Sequence, residues 1–237
     1  MKLTCIFLTL VLFITVAGCQ SEQTSEVSPV SGQETDQVVN NTVSLPEPQL
    51  DGEVSLEQSL LERRSTRSYT SDPLALEEVS QLLWAAQGIT NAAGHRTAPS
   101  AGGLYPLELY LVVGNVENLE PGVYNYLPEK HELVLLAEGD IRIDLARAAL
   151  SQTSVKDGAI SIVVTAIYER TTGKYGERGI MYVHIEVGHA AQNLCLQATA
   201  MGLGLVTVGA FHDEQVVEVL DLPDDEKPIY IIPVGRK

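Results

Sequence analysis

Three arginines stand within five residues at Arg63-Arg64-Ser65-Thr66-Arg67, ahead of Ser68-Tyr69, in a strongly acidic chain. Its 15 Lys and Arg face 31 Asp and Glu, a net charge of −16 at pH 7. If the segment runs extended, Arg63, Ser65 and Arg67 project on one side. Two guanidiniums and a hydroxyl so placed suit a phosphate, which accepts forked, charge-assisted hydrogen bonds. The same residues suit a solvated turn whose cations complement a helix C-terminus. The segment alone leaves both readings open.

Three other places have the residue types for chemistry. Thr97-Ala98-Pro99-Ser100-Ala101-Gly102-Gly103-Leu104-Tyr105-Pro106 concentrates small residues, which let backbone approach a flat ligand and turn N–H groups to its polar edge. A plain loop is the alternative there. Ser100 is not a nucleophile elbow, because no Gly-x-Ser-x-Gly surrounds it. Gly202-Leu203-Gly204-Leu205-Val206-Thr207-Val208-Gly209 fails the dinucleotide fingerprint, since its third glycine is late and the order runs helix to strand. The fourth place is a helix carrying His184, Glu186, His189, Gln192 and Asn193. Its two histidines, five residues apart, diverge by about 140° and cannot share a metal as an i,i+4 pair does. They read as core or interface polar residues, with no metal site expected, and Gly188, Ala190 and Ala191 beside them permit close helix approach.

The elements that must hold these residues follow from periodicity. Ser55 caps a helix to about Arg63 with Leu56, Leu60 and Leu61 on one face. A second helix runs from Leu76 to Gln87 and stops at Gly88. Strands are predicted at 107–113, 123–127, 133–136, 160–168, 203–208 and 229–234, and helices at 140–150, 180–201 and 213–220. Lys174 and Tyr175 fall in a polar loop between the strand ending near Tyr168 and the helix starting near Ile180. Strands without regular alternation with helices indicate an α+β fold, here a mixed, mostly antiparallel sheet flanked by helices.

Composition narrows the class. The 237 residues are 45% hydrophobic, enough for a core, and the three cysteines at 5, 19 and 195 cannot build a disulfide framework. Cys195, in an apolar helical stretch, is expected buried and inert. The acidic balance argues against nucleic-acid partners and against a polybasic membrane patch. Met1-Lys2, the apolar run to Ala17 and the small residues before Cys19 describe an export signal over 1–18, too short to span a bilayer. Val16-Ala17-Gly18-Cys19 resembles the lipobox of bacterial lipoproteins, which implies acylation of Cys19 and a membrane-anchored location in the cell envelope. Residues 19–54, rich in Ser, Gln, Thr, Pro and acids, read as a disordered tether, leaving 55–237 as the functional domain.

Taken in order, the four segments resemble the nitroreductase superfamily of FMN-dependent oxidoreductases over residues 55–237. The resemblance implies that Arg63, Arg64, Ser65 and Arg67 form the first flavin-phosphate segment. It implies that Pro99, Ser100, Ala101, Gly102 and Gly103 form a flavin-contacting loop. It lays the backbone of Val208, Gly209 and Ala210 against the flavin and makes Arg236, in Gly235-Arg236-Lys237, a second phosphate contact. Pro-Ser-Ala-Gly-Gly-Leu-Tyr-Pro, Lys174-Tyr175-Gly176-Glu177-Arg178 and Glu186-x-Gly188-His189-Ala190-Ala191-Gln192-Asn193 are similar to the thiazole/oxazole-forming azoline dehydrogenase branch. In that branch the Lys-Tyr pair is linked to proton removal while the flavin takes a hydride. A homodimer with flavin between subunits is implied, acting on a small molecule or peptide; no electron donor or acceptor is implied. The alternatives are a flavin-holding module without turnover and a purely structural lipoprotein.

Overall fold

The computed structural model describes residues 41–237. The expected export signal, the acylated Cys19 and the tether as far as residue 40 lie outside the described residues. Seven strands, β1 (Thr42–Ser44), β2 (Leu107–Val113), β3 (Gly122–Leu127), β4 (Glu132–Glu138), β5 (Ile160–Ile167), β6 (Leu203–Leu205) and β7 (Glu226–Arg236), form one sheet. Seven helices accompany it: α1 (Leu56–Glu62), α2 (Leu76–Gln87), α3 (Arg142–Ala148), α4 (Thr153–Asp157), α5 (Glu169–Tyr175), α6 (Arg178–Ala200) and α7 (Asp213–Leu220). The strand order is β1-β4-β3-β2-β5-β7-β6. All six ladders are antiparallel. The α+β fold with a mostly antiparallel sheet flanked by helices is as expected, and among the described residues parallel pairing is confined to the isolated bridges Ser65–Leu205 and Leu74–Val116.

Strand alternation divides the core into two layers. Leu107, Leu109, Leu111 and Val113 of β2 pack with Ile160, Ile162 and Val164 of β5 and with the apolar faces of α2 and α6. Tyr110, Val112, Val163 and Ile231 point the other way, onto Leu145, Val155, Val216 and Leu220 of α3, α4 and α7. An antiparallel sheet covered on both faces accounts for the near-continuous apolar runs of its central strands.

The tether expectation over 19–54 needs correcting at its C-terminal end. Thr42–Ser44 adds β1 to the sheet edge beside β4, and Leu45 is buried. Beyond it the Pro46 carbonyl accepts from Ser80 Oγ, and the Gln49 N–H donates to Gln81 Oε1 at 2.8 Å. Edge pairing and captured backbone groups hold a stretch whose composition reads as disordered. Helix α1 is capped by Ser55, which accepts from the Gln58 N–H at 3.1 Å. Its leucine face is exposed, however, with Leu56 at 60%, Leu60 at 54% and Leu61 at 68%.

Two boundaries also move. Residues 169–175, expected as loop, form α5, which packs on α6 and ends at Gly176 with φ +57°. Only Thr171 of α5 is buried, so the helix writes no apolar stripe into the sequence. Strand β7 runs five residues beyond the expected 229–234, through Pro228 and Pro233, with a register shift opposite Val164 and Thr165. The prolines mask it in sequence, because they cannot donate to a ladder.

Candidate functional site

The arginine segment leaves α1 extended and docks on β6. The Thr66 N–H donates to the Leu205 carbonyl at 2.8 Å, and the Thr70 N–H to the Arg236 carbonyl at 3.0 Å. Thr66 turns inward onto Gly204, where an added Cβ would stand 2.7 Å from Thr66 Cγ2. Ser65 and Arg67 are thereby sent outward and are exposed. Arg63 lies close enough to Cys195 for its charge to lower the thiol's pKa, although burial, the larger effect, pushes it up. Cys195 is buried, as expected. Neither Arg63 nor Arg67 makes an ion pair among the described residues. Arg64 is spent differently: its Nη1 donates to the Leu61 and Arg63 carbonyls at 3.0 and 2.7 Å, closing the C-terminus of α1.

Arg236 requires a correction. Its Nη1 and Nη2 grip both oxygens of Glu78 at 3.0 and 2.8 Å, and its Nε donates to the Pro73 carbonyl at 3.0 Å. A guanidinium engaged on three acceptors has little left for a phosphate. Its neighbour Lys237, one residue on and so on the opposite face of the strand, lies beside Gly204 and Thr66.

A second group gathers beneath the Pro99–Gly103 loop. Ala101–Gly103 forms one 3-10 turn, with Gly102 and Gly103 in the left-handed region at φ +66° and +64°. Ser100 Oγ accepts from the Tyr105 N–H at 2.9 Å. Helix α5 brings Lys174 and Tyr175 to this turn. A Cβ on Gly102 would stand 2.7 Å from Tyr175 Oη and 3.0 Å from Lys174 Nζ, the far ends of two side chains, so it is the φ of +66° that calls for glycine there. The Tyr175 ring meets Tyr182 edge-on at 5.2 Å, and Arg178 covers Tyr182 at 5.6 Å. Arg96 lies over the Tyr105 ring at 4.6 Å while bonding Gln87 and Glu129, and Arg170 joins the Tyr105 carbonyl to Glu108.

Glu186, taken from sequence as a plain polar helix residue, lies under the same loop. It is 2% exposed, and its Oε1 has no partner among the described residues. Burial pushes its carboxyl up to about 7, against the opposing hydrogen bond from Ser100 and the charge of Arg96. His184 is engaged elsewhere, 2.6 Å from the Tyr168 hydroxyl.

Val208, Gly209 and Ala210 form a third place. Val208 exchanges both backbone hydrogen bonds with Ile231, at 2.8 and 3.0 Å, and is buried. Gly209 and Ala210 are exposed, and the Ala210 carbonyl accepts from Gln152 Nε2.

Within one chain the first two groups do not meet. Arg63 approaches α6 at Cys195 and Ser100 approaches it at Glu186. Those helix positions differ by nine residues, about 180° around the axis and about 13 Å along it. Arg63 thus approaches one side of α6, and Ser100, with the turn that carries Gly102 to Lys174 and Tyr175, approaches the other.

The sequence profile described as Nitroreductase family matches residues 60–236. A Methanocaldococcus jannaschii protein provisionally named nitroreductase MJ1384 is 46% identical over 199 residues, covering 84% of this chain and 99% of its own. The Bacillus subtilis FMN reductase (NADPH) is 25% identical, over 76% of this chain and 64% of its own. The Escherichia coli microcin B17-processing protein McbC is 32% identical over 54% of this chain and 48% of its own. A solved Ralstonia eutropha structure, also provisionally named a nitroreductase, superposes with a TM-score of 0.71 at 30% identity, over 83% of this chain and 89% of its own.

Proposed function

Because this chain belongs to the nitroreductase family, we propose that it is an FMN-dependent oxidoreductase acting on a small molecule or peptide. The observation that carries the reading is the pair Arg63 and Arg67, guanidiniums without an ion-pair partner among the described residues of a chain of charge −16. The donor set fits the phosphate of FMN: two guanidiniums and the Ser65 hydroxyl. The Gly102–Gly103 turn fits close backbone approach to a planar ring. FMN, when bound, supplies the hydride chemistry. Arg63 and Arg67 hold the anionic end, and the Ser100–Gly103 backbone orients the ring. Lys174 Nζ and Tyr175 Oη, set against Gly102, are placed to hold or move a substrate proton.

We further propose a homodimer in which the phosphate group of one chain and the Gly102 group of its partner share one flavin. Two facts support it: the two groups lie on opposite sides of α6, and apolar residues of α1 and α6 (Leu60, Leu61, Ile180, Ile185) are uncovered. The McbC relative and the Lys174-Tyr175 pair favour a substrate of the azoline kind. The Val16–Cys19 motif supports acylation at Cys19 and anchoring in the cell envelope, checked by membrane fractionation of Cys19→Ala.

The decisive experiment is the absorption spectrum of the purified protein with FMN added, followed by rapid-mixing reduction with candidate donors. Lys174→Ala and Tyr175→Phe should keep a yellow protein but slow substrate-dependent flavin reduction by about 10²–10⁴. A colourless parent with no FMN affinity overturns the cofactor. Parent-like rates in both variants remove the pair from the chemistry.

A further inference from the structure

The glycine stretch from Gly202 to Gly209 fails as a dinucleotide fingerprint, and its member Gly204 has a different use. Gly204 and Gly235 stand directly opposite each other where β6 pairs with β7. Residues so paired point to the same face of the sheet. Neither glycine lies in the left-handed region, so each is there for space. A Cβ on Gly204 would stand 2.7 Å from Thr66 Cγ2 and 2.9 Å from Thr66 Cβ. A Cβ on Gly235 would stand 2.7 Å from Tyr69 Cγ and 2.8 Å from Tyr69 Cβ. These atoms are at or near the backbone of the arginine segment, and they yield only if the segment itself moves. The glycine pair is thus a socket for close approach of another chain segment. Tyr69 locks that approach. Its hydroxyl donates to the Thr66 carbonyl at 2.9 Å and to the Pro233 carbonyl at 3.1 Å, sharing one proton between segment and β7. The Thr66 and Thr70 amides, bonded to Leu205 and Arg236, bracket the contact. Ser65 and Arg67, flanking Thr66, are exposed.

We propose that Tyr69, seated on Gly235, is a positioning residue for phosphate binding: its hydroxyl holds the 65–70 segment in the register that turns Ser65 and Arg67 away from the sheet. The proposal rests on the reading of Arg63 and Arg67 as the phosphate clamp and supplies what aims it. Arg67 has no ion pair among the described residues, so its direction is set by its backbone. A clamp fixed before the ligand arrives spends less ordering entropy on binding it. The effect belongs to the phosphate alone. Riboflavin carries the same ring without that group, so loosening the segment weakens FMN and spares riboflavin. A merely structural role for Tyr69 would weaken both alike.

The test titrates the full chain, freed of flavin, with FMN and with riboflavin, and follows hydrogen exchange of the Thr66 amide without ligand. Tyr69→Phe keeps the ring on Gly235 and removes the shared proton. It should weaken FMN about three- to tenfold, as expected for one net hydrogen bond, and leave riboflavin within about twofold. The Thr66 amide should exchange about threefold faster or more in the same protein. Gly235→Ala, which lifts the ring off the strand, should act in the same direction and more strongly. If it does not fold, Tyr69→Phe decides alone. Equal losses for FMN and riboflavin overturn the positioning role, and so does a Tyr69→Phe protein that matches the parent in both titrations and in exchange. Arg67→Ala separates this role from the clamp itself. If Arg67→Ala weakens FMN and Tyr69→Phe does not, the positioning role falls and the phosphate reading stands. If neither variant weakens FMN, the phosphate reading falls and takes the ligand role of Tyr69 with it.

Discussion

Charges in this domain are either spent on the fold or left available, and residue type does not tell which. Arg64 closes a helix and Arg236 clamps Glu78, while Arg63 and Arg67 are without ion pairs among the described residues. Removing an uncommitted phosphate clamp loses hydrogen bonds to a charged group, about 1.5–3 kcal/mol, or roughly ten- to a hundredfold in affinity. Arg63→Ala and Arg67→Ala should each weaken FMN by that factor in a fluorescence titration. Arg236→Ala should leave FMN affinity within about threefold and cost about 1 kcal/mol of stability, since its side chain is 37% exposed and the Glu78 pair is partly screened. An Arg236→Ala protein that loses FMN as Arg63→Ala does would return the clamp to Arg236. Glu186 gives the second expectation at this scale. Its carboxyl is raised from 4.5 to about 7 by burial, so the native state holds its proton more tightly than the unfolded chain. The stability this contributes is complete below about pH 4.5 and is lost as pH rises through about 7. Melting temperatures of Glu186→Gln should lack that decline, and a parallel decline in both proteins would assign it to other groups.

At the scale of elements, the strap from Asn41 to Leu50 and helix α5 do work that their sequences do not advertise. The strap is fixed by β1 pairing with β4, by the burial of Leu45 and by the capture of the Pro46 carbonyl by Ser80 and His131. His131 in turn bonds the Tyr126 hydroxyl at 2.9 Å, tying strap, hairpin and α2 together. Leu45→Ala should therefore destabilise the domain by about 2 kcal/mol, the lower end for a buried leucine. A neutral substitution in a denaturant titration would mean that the strap hangs free. Helix α5 is held by its packing on α6 and ended by Gly176, and it sets Lys174 and Tyr175 beside the Gly102 turn.

For the whole molecule, the sheet is the frame and α6 the divider. One face of the sheet is covered by α2 and α6, the other by α3, α4 and α7. Six of the exposed large apolar residues lie on α1 and on the first half of α6, with Leu60 at 54% and Ile185 at 48% exposure, while Leu50, Val54, Leu136, Ile143 and Leu150 are exposed elsewhere. The apolar residues exposed on α1 and α6 are what the proposed second copy would cover, and the proposal requires that copy to bring the two separated ligand groups to one flavin. Sedimentation should give twice the chain mass for the parent. Leu60→Asp or Ile185→Asp should give monomers that also lose FMN, while a monomeric parent that binds FMN normally would overturn the shared site.

Much of this was legible in the residues themselves. Charge contrast picks out Arg63 to Arg67, Gly88 and Gly202 end their helices, α2 falls where its apolar period places it, and α7 falls at the expected 213–220. Those signals are local: each is carried within a dozen residues by backbone preference and solvent partition. The tertiary structure decided what local signals cannot carry. It set Arg236 on Glu78, 158 residues away, and left Lys237 on the other face. It brought Tyr175 to Gly102 and Ser100 to Glu186, and it put those groups on the side of α6 away from Arg63. Such pairings depend on how strands and helices pack, where a step of one residue reverses a side chain and nine residues of helix turn it half-way round.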